Sequence, residues 1–461
     1  MSQSTSSSPL LYVHVEYEDP YVQPLILSAL SSQLPPWSYQ LLDCNNGSSS
    51  KPLPLLEILP YERLSFDDAL AHPSQTLINS YIIRKALIRK HYLAHTARAW
   101  VSKRGPESAL KKHVVESVEF EVDYAEFLDE ALDAAESWDM REAFTRNERR
   151  IGEGLQEELE WWILKPGMSD RGQGIRLFST EQELQEIFEE MEAGNESGGE
   201  SEDDEEGYGG GTMTSQLRHF VAQPYIHPPL LIDEPDPSAG RKFHIRAYVL
   251  AAGALTVWVY QPMLALFAAD TYSKPLWETE GLKAHLTNTC LQTADGNMER
   301  EGSVRLFWDL PDKVRLAPSS LKEQRQAIEQ KGHDLQASKS WKDSVFEQIC
   351  VTVSELFEAA ARGQAVHFQV LPNAFELFGV DFLVDATGNA WLLEVNSFPD
   401  FRQTGDELKG LVGGLWEEVV KTAVIPHFGA IDESLNKNTE GASNMLKQVL
   451  SVDLGRRLPR N

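Results

Sequence analysis

Hydrophobic and polar positions change period several times along this chain, and each change marks a different element. "LLYVHVEY" (10–17) alternates with a period of two, as a half-buried strand does. In "QTLINSYIIRKALIRKHYLAHT" (75–96), Leu77, Tyr81, Ile82, Ala86, Leu87 and Tyr92 fall near one stripe, which predicts a helix with its cations elsewhere. A second helix is expected from Asp123 to about Ala135. Asp123 would be its N-cap, with Glu126 three residues on, and Tyr124, Phe127, Leu128, Ala131 and Leu132 its apolar face. "SWKDSVFEQICVTVSELFEAAARG" (340–363) puts Phe346, Ile349, Val353, Leu356 and Phe357 on one side of a third helix, ended by Gly363. Leu408, Leu411, Val412, Leu415, Val419 and Val420 mark a last one. The segment 44–54 reads as a loop. The segment 192–212, "EAGNESGGESEDDEEGYGGGT", has no apolar period and reads as a disordered acidic insertion. From there to Asn396 strands are expected to alternate with helices. Residues 432–461 read as a peripheral tail in which a short helix could dock.

Chemistry concentrates where the strand period is clearest. In "LFGVDFLVDATGNAWLLEVNSFPDF" (377–401), two alternating runs flank the turn "ATGN", which predicts a hairpin. With a four-residue loop Asp385 pairs with Ala390, Asp381 falls opposite Glu394, and Asn396 shares their face. Like charges opposed across strands repel. A cation is the natural compensation, and two carboxylates plus an amide oxygen suit magnesium shared with phosphate. The alternative is a pair of solvated strand ends. "GRKFHIRAYVLAAGALTVWVY" (240–260) sets Lys242, His244 and Arg246 on one face and Phe243, Ile245 and Ala247 on the other. Three potential cations in a row call for an anionic partner, unless the strand is solvated. "WWILKPGMSDRGQGIRLF" (161–178) reads as strand, glycine loop, strand. It delivers Lys165 to the strand's end, with Arg171, Gly172 and Gly174 following. It is no Walker loop. "HLTNTC" offers Thr287 and Asn288 to a polar ligand or to loop capping, and "VAQPYIHPPLLI" reads as a hinge.

Length and charge sharpen this reading. A chain of 461 residues implies two or three domains. Cys44, Cys290 and Cys350 are too dispersed for a disulfide framework and read as reduced thiols. Neither a secretory leader nor a membrane span is expected, and the net charge of −28 argues against nucleic acid as a partner. The distribution is uneven: residues 84–112 hold nine Lys/Arg and one acid, whereas 181–206 hold thirteen acids and no Lys or Arg. Such a basic segment could steer an acidic ligand, or simply form a solvated helix face.

Taken in order, "WILKPGMSDRGQGI", "VAQPYI", "RKFHIRAYVL", "HLTNTCLQ" and "FELFGVDFLVDATGNAWLLEVNSFPDF" resemble the tubulin tyrosine ligase and ligase-like family, over roughly residues 160–405. The resemblance implies an α/β (α+β) ATP-grasp fold. It divides the chain into an N-terminal α/β domain (1–95), a central domain (96–226), a C-terminal domain with the metal site (227–430) and a tail (431–461). It implies ATP phosphates on Lys165 and Lys242, with Arg171 and Gly172 in the covering loop and His244 beside them. Adenine would lie on Gln223, Pro224, Tyr225 and Ile226, and magnesium on Asp381, Glu394 and Asn396. Arg246 would meet the carboxylate of a free amino acid, with Thr287 and Asn288 nearby, and Lys242, Arg246 and Glu394 would carry catalysis. The implied activity is ATP-dependent ligation through an acyl phosphate, of tyrosine first and of glutamate or glycine as alternatives. The implied partner is the acidic C-terminal tail of α-tubulin or another acidic protein, in the cytoplasm. Arg84, Lys85, Arg89 and Lys90 are candidates to grip that tail, and "EEGY" within the acidic insertion could imitate it. One departure stands out: His244 occupies the position of Asp in the family's "KFDIR". It leaves open a non-catalytic scaffold on the same fold.

Overall fold

The computed structural model describes residues 10–17, 19–42, 52–167, 172–196, 219–273, 275, 282–287, 303–314, 340–399, 401, 408–429, 445–452 and 454. Three sheets organise them. The first is parallel: β1 (Leu11–Val15) lies between β2 (Tyr39–Leu41) and β3 (Leu55–Ile58), and β4 (Thr76–Ile78) pairs with β3. The second is antiparallel, and β5 (Val118–Glu121), β6 (Trp162–Pro166), β7 (Arg176–Phe178) and β8 (His219–Pro224) adopt the order β5-β8-β6-β7. Trp162, Leu164, Phe178, Phe220 and Ala222 pack its inner face against the helices that follow β5 and β7.

The third sheet has seven strands, built around the long β9 (Arg241–Ala252). On one edge of β9, β10 (Thr256–Tyr260) covers its second half and β11 (Leu264–Thr271) its first, with β12 (Val304–Leu306) beyond. On the other edge lies β13 (Phe375–Val384), which continues into β14 (Ala390–Ser397). Strands therefore meander here instead of alternating with helices, because hairpin turns suffice to join antiparallel neighbours. One face, with Phe243, Ile245, Ala247, Phe378, Val380 and Phe382, is sealed by the helix Trp341–Gly363. The other face is divided. Tyr248, Leu250, Phe375 and Leu377 are covered by the first sheet's helix Gln23–Gln33 and by the helix Lys409–Val419. The remainder of that face, from Lys242 to Arg246 and from Asp381 to Leu383, is left to a cleft.

Two predicted helices fold differently. Residues 75–96 begin as β4, because the open edge of β3 offers backbone partners that a helix there would forgo. The Tyr81 N–H then donates to Glu376 Oε2 at 3.1 Å, and helix resumes at Lys85–Ile88 and Lys90–Arg104. The element expected from Asp123 opens with a 3-10 turn (Ala125–Phe127) before the helix Leu128–Ala134, and no capping box forms. Glu192 accepts the Ala125 N–H from a neighbouring helix, which leaves Tyr124 and Phe127 exposed while Leu128 and Leu132 are buried. The helix Trp341–Gly363 forms as expected, with Ser340 Oγ accepting the Lys342 N–H. Cys350 is a free thiol buried in it; Cys44 and Cys290 lie outside the described residues, and of the insertion expected over 192–212 the first residues, 192–196, end the helix Glu181–Glu196 while the rest lies outside the described residues.

Within the tail, residues 446–451 join the large sheet and do not form a helix. β15 (Leu446–Ser451) pairs antiparallel with β10 and forms that edge of the large sheet, with Leu446 4% exposed. Leu446→Ala is expected to lower unfolding free energy by about 2–3 kcal/mol, measured by urea denaturation; a loss under about 0.5 kcal/mol would show the strand to be only loosely attached.

Candidate active site

The uncovered face of the third sheet looks across at the second, and between them runs a cleft of about 960 Å³. Strand alternation supplies its walls. On β6, Trp162 and Leu164 turn into the core, so Ile163 and Lys165 turn out. On β9, Lys242 and His244 turn in the same sense. β13 and β14 bring Asp381, Leu383, Leu392, Leu393, Glu394 and Asn396. Gln223, Pro224, Tyr225 and Ile226 form the wall where β8 leaves its sheet, and Gly172, His285 and Thr287 also line the space. The described residues expected to bind nucleotide, metal and amino acid therefore converge, Arg246 through its contact with Asp381. Arg171 and Asn288 lie outside the described residues.

The carboxylates face each other as expected, although the loop does not. Val384 pairs with Ala390, so Asp385 belongs to the loop, where its Oδ1 accepts the Thr387 and Asn389 N–H groups. A bulge between the Phe382–Leu392 and Asp381–Glu394 pairs restores the register. Without it Glu394 would turn to the opposite face. Asn396 Nδ2 sits 3.4 Å from both Asp381 Oδ2 and Glu394 Oε1. An amide between two carboxylates offers hydrogens when no cation is there. Rotated by half a turn, it offers its oxygen instead. Two carboxylates and one amide oxygen thus fit a hard divalent cation that completes its shell with phosphate and water. Among the described residues no group of three or more His, Cys, Asp or Glu is placed to hold a metal without such help.

Asp381 is the anion that faces Arg246 and His244 on β9, whereas Lys242 meets the Tyr225 phenol. Arg246 lies opposite it in register and clasps it through Nε and Nη2, the latter 2.9 Å from Oδ2. Burial would push the guanidinium down, but Asp381 outweighs it and raises the pKa further. Lys242 donates to Tyr225 Oη at 2.8 Å and lies over that ring; His285 Nδ1 is 3.0 Å from the same oxygen. Burial, then the neighbouring Lys165, brings the Lys242 ammonium down to about 7. Burial brings Lys165 to about 8, opposed by Glu394 and assisted by Lys90. For Glu394 burial acts upward, yet Lys90, Lys165 and Arg246 together hold the carboxyl at about 2. His244 Nδ1 is 2.6 Å from Thr287 Oγ1, and burial lowers its pKa against the pull of Asp381, which favours the neutral ring.

The four residues expected to grip an acidic tail do not form one surface. Arg84 is turned inward, its Nε 3.0 Å from Glu376 and its guanidinium stacked over Tyr61. Glu376 is buried, and an unpaired charge there would be costly. Lys90 points into the cleft, 3.4 Å from Glu394 Oε2. Lys85 is exposed and Arg89 half-buried. His285 was visible in "HLTNTC" but offered no pattern of its own. The apolar wall of Leu383, Leu392 and Leu393 read as ordinary strand core.

Two sheets that clamp an elongated cleft between a lysine-bearing strand on each side and an oxygen-rich hairpin define an ATP-grasp enzyme. A family profile described as the tubulin-tyrosine ligase family matches residues 69–431, and the chain belongs to that family. Among its relatives is the fission yeast "Probable tubulin--tyrosine ligase C12B10.04", 39% identical over 96% of this chain and 98% of that protein. The budding yeast "Probable tubulin--tyrosine ligase PBY1" is 38% identical over 93% of this chain, which spans 53% of that longer protein. The solved structure of the C-terminal domain of K. lactis Pby1, described as "an ATP-grasp enzyme interacting with the mRNA decapping enzyme Dcp2", matches with a TM-score of 0.62 and 35% identity. That match covers 96% of this chain and 99% of the other.

A triphosphate entering this cleft favours the charged form of both lysines and so raises their pKa values. At pH 8 Lys242 is mostly neutral beforehand and Lys165 about half so, by their positions near 7 and 8. Calorimetry in buffers of different ionisation enthalpy should therefore report uptake, not release, of about one to one and a half protons. Lys242→Met should remove the larger part of it.

Proposed function

We propose that the chain is an ATP- and magnesium-dependent carboxylate–amine ligase. In this reading it adds an amino acid, tyrosine in the first instance, to the C-terminal carboxylate of an acidic protein tail, α-tubulin's being the leading candidate. The observation that carries the proposal is the meeting of Lys165 and Lys242, from two separate sheets, with Asp381, Glu394 and Asn396 in one cleft.

The chemistry asks for charge control and positioning. An oxygen of the acceptor carboxylate attacks the γ-phosphorus, ADP leaves, and the acyl phosphate is then attacked at its carbonyl carbon by the amino-acid amine, with phosphate departing. Lys165 and Lys242 hold phosphate oxygens from opposite walls. Their lowered pKa values mean that the anion itself recruits their charge. Apolar Ile163, Leu383 and Leu392 line the space toward Gln223–Ile226, as a purine requires. Arg246 spends Nε and Nη2 on Asp381, which leaves Nη1 for the carboxylate of the amino acid. Asp381, Glu394 and Asn396 would hold magnesium, whose charge neutralises developing negative charge on phosphate when bound. Lys85 and Arg89 remain available to the acidic tail at the surface.

Two other readings follow the relatives. Two Tetrahymena relatives, named "Tubulin glycylase 3C" and "Probable alpha-tubulin polyglutamylase Ttll1" and 25% and 26% identical over part of the chain, support glycine or glutamate as the added residue. His244 in the family's aspartate position, together with the Dcp2 interaction stated for the Pby1 domain, supports a scaffold that binds an acidic partner.

Incubation with ATP, an acidic tail peptide and each labelled amino acid separates these. Tyrosine incorporation that falls about a hundredfold or more in Glu394→Gln is the expected outcome. Incorporation of glycine or glutamate instead would change the amino acid and keep the mechanism. Absence of incorporation and of ATP turnover would overturn the ligase and favour the scaffold.

A further inference from the structure

In the nucleotide reading, Lys242 gains a proton as the triphosphate binds, in a place that water reaches poorly. The residue is 6% exposed, and the ligand that calls for the proton fills the cleft through which water would bring it. A second route leads through the wall. The Lys242 ammonium donates to Tyr225 Oη at 2.8 Å. The Tyr225 and Tyr272 hydroxyls hydrogen-bond to each other, and Tyr272 Oη lies 2.5 Å from His227 Nδ1. Tyr225 is buried, Tyr272 half-buried and His227 exposed, so this chain of groups steps from the cleft to the surface.

The backbone fixes that order. Tyr225 and His227 lie where the chain leaves β8, and the Tyr225 N–H donates to the Trp161 carbonyl at 2.8 Å. Tyr272 follows β11, whose Thr271 pairs with Arg241 on β9, and its N–H donates to the Gly240 carbonyl at 2.7 Å. Both phenols are thus held beside the start of β9, which carries Lys242. His285 Nδ1 also meets Tyr225 Oη, at 3.0 Å, but that residue is 1% exposed and offers no exit. Burial raises the pKa of both phenols, Tyr272 to about 12, so near neutral pH they stay hydroxyls that accept and donate at once. Phenylalanine would fill the same space; the hydroxyls add an unbroken line of hydrogen bonds.

We infer that Tyr225, Tyr272 and His227 form a proton relay, which charges Lys242 when a triphosphate binds and discharges it when phosphate leaves. In the charging direction a solvent proton enters at His227 Nε2 while the Nδ1 proton passes to Tyr272 Oη. The Tyr272 hydroxyl gives its own proton to Tyr225, and Tyr225 gives its own to Lys242 Nζ. Each oxygen ends as a neutral hydroxyl, and the imidazole ends neutral with its proton on the other nitrogen. The inference rests on the nucleotide reading of the cleft, and it gives a task to two residues, His227 and Tyr272, that the reading itself does not use.

Tyr272→Phe cuts the line, and His227→Gln keeps a hydrogen-bonding group that cannot carry a proton. Each is mixed by stopped flow with magnesium and a fluorescent non-hydrolysable ATP analogue, in weak buffer with a pH indicator. The pH is 8, where Lys242 is mostly neutral beforehand. In the wild type, proton uptake should keep pace with nucleotide binding. In both variants it should trail binding about tenfold or more, by a lag that lengthens in heavy water. Total uptake at equilibrium should hold, and affinity should change by less than about threefold. Prompt uptake in either variant, or a lag of equal length in light and heavy water, would overturn the relay. So would a smaller total uptake, which would make these residues tuners of the lysine and not conveyors. Wild-type protein that binds no nucleotide overturns the ligase reading and this one together; binding without proton uptake overturns only this one. Melting curves check folding, and if Tyr272→Phe fails to fold, His227→Gln at its exposed position makes the comparison alone.

Discussion

The active face depends on a register: Asp381 lies opposite Arg246, and Leu383 opposite His244, across β13 and β9. Because side chains alternate, this one alignment decides that three polar residues of β9 and the acid of β13 share a face and that Phe243, Ile245 and Ala247 do not. A slip of one residue would bury the charges in the core beneath the helix Trp341–Gly363. The Arg246–Asp381 pair both needs the register and enforces it. Each charge is buried, and either alone would carry a desolvation cost of several kcal/mol. Pairs of this kind do little for net stability, yet they penalise every alternative alignment.

Two covers share that face, and their division creates the site. Tyr248, Leu250, Phe375 and Leu377 lie under the first sheet and the helix Lys409–Val419, whereas Lys242 to Arg246 and Asp381 to Leu383 are left open. The apolar part anchors the strands, and the open part can then carry charges too close together for a solvated hairpin to hold. Four cationic side chains, Lys90, Lys165, Lys242 and Arg246, meet two carboxylates, Asp381 and Glu394. The surplus is positive, which suits a magnesium–triphosphate of net negative charge.

Much of this was legible in the chain because it rests on period-two alternation. The facing of Asp381 and Glu394, the common side of Lys242, His244 and Arg246, and the delivery of Lys165 all follow from counting residues along a strand. The opposition of the carboxylates was nevertheless reached through a loop one residue too short. The real loop holds Asp385, and the bulge after Leu392 compensates. Nothing local in "AWLLEV" marks a bulge; it is fixed by how β14 must lie on β13. Lys90 was misplaced for a related reason. Its helical neighbourhood read as one amphipathic stripe, and only the docking of β4 on β3 breaks that stripe and turns Lys90 inward. β15 was read as tail because a short strand at an edge takes its identity from its partner, and β10 is far away in sequence.

His244 bears on how far the family's chemistry extends to this chain. An aspartate there would stand beside Asp381, opposite Leu383, and add a third carboxylate to the face that Arg246 must neutralise. The imidazole, whose pKa burial lowers, is bonded to Thr287 through Nδ1, with Nε2 3.7 Å from Asp381 Oδ1. It removes one negative charge and leaves the two carboxylates and Asn396 in place. A neutral ring at that distance can still donate toward Asp381 and orient it, as outer partners of metal carboxylates do. The substitution therefore trades an acceptor of cations for an orienting donor. That favours the nucleotide's phosphates over a second cation, and it leaves the means of phosphoryl transfer intact where a scaffold would have no need to keep them.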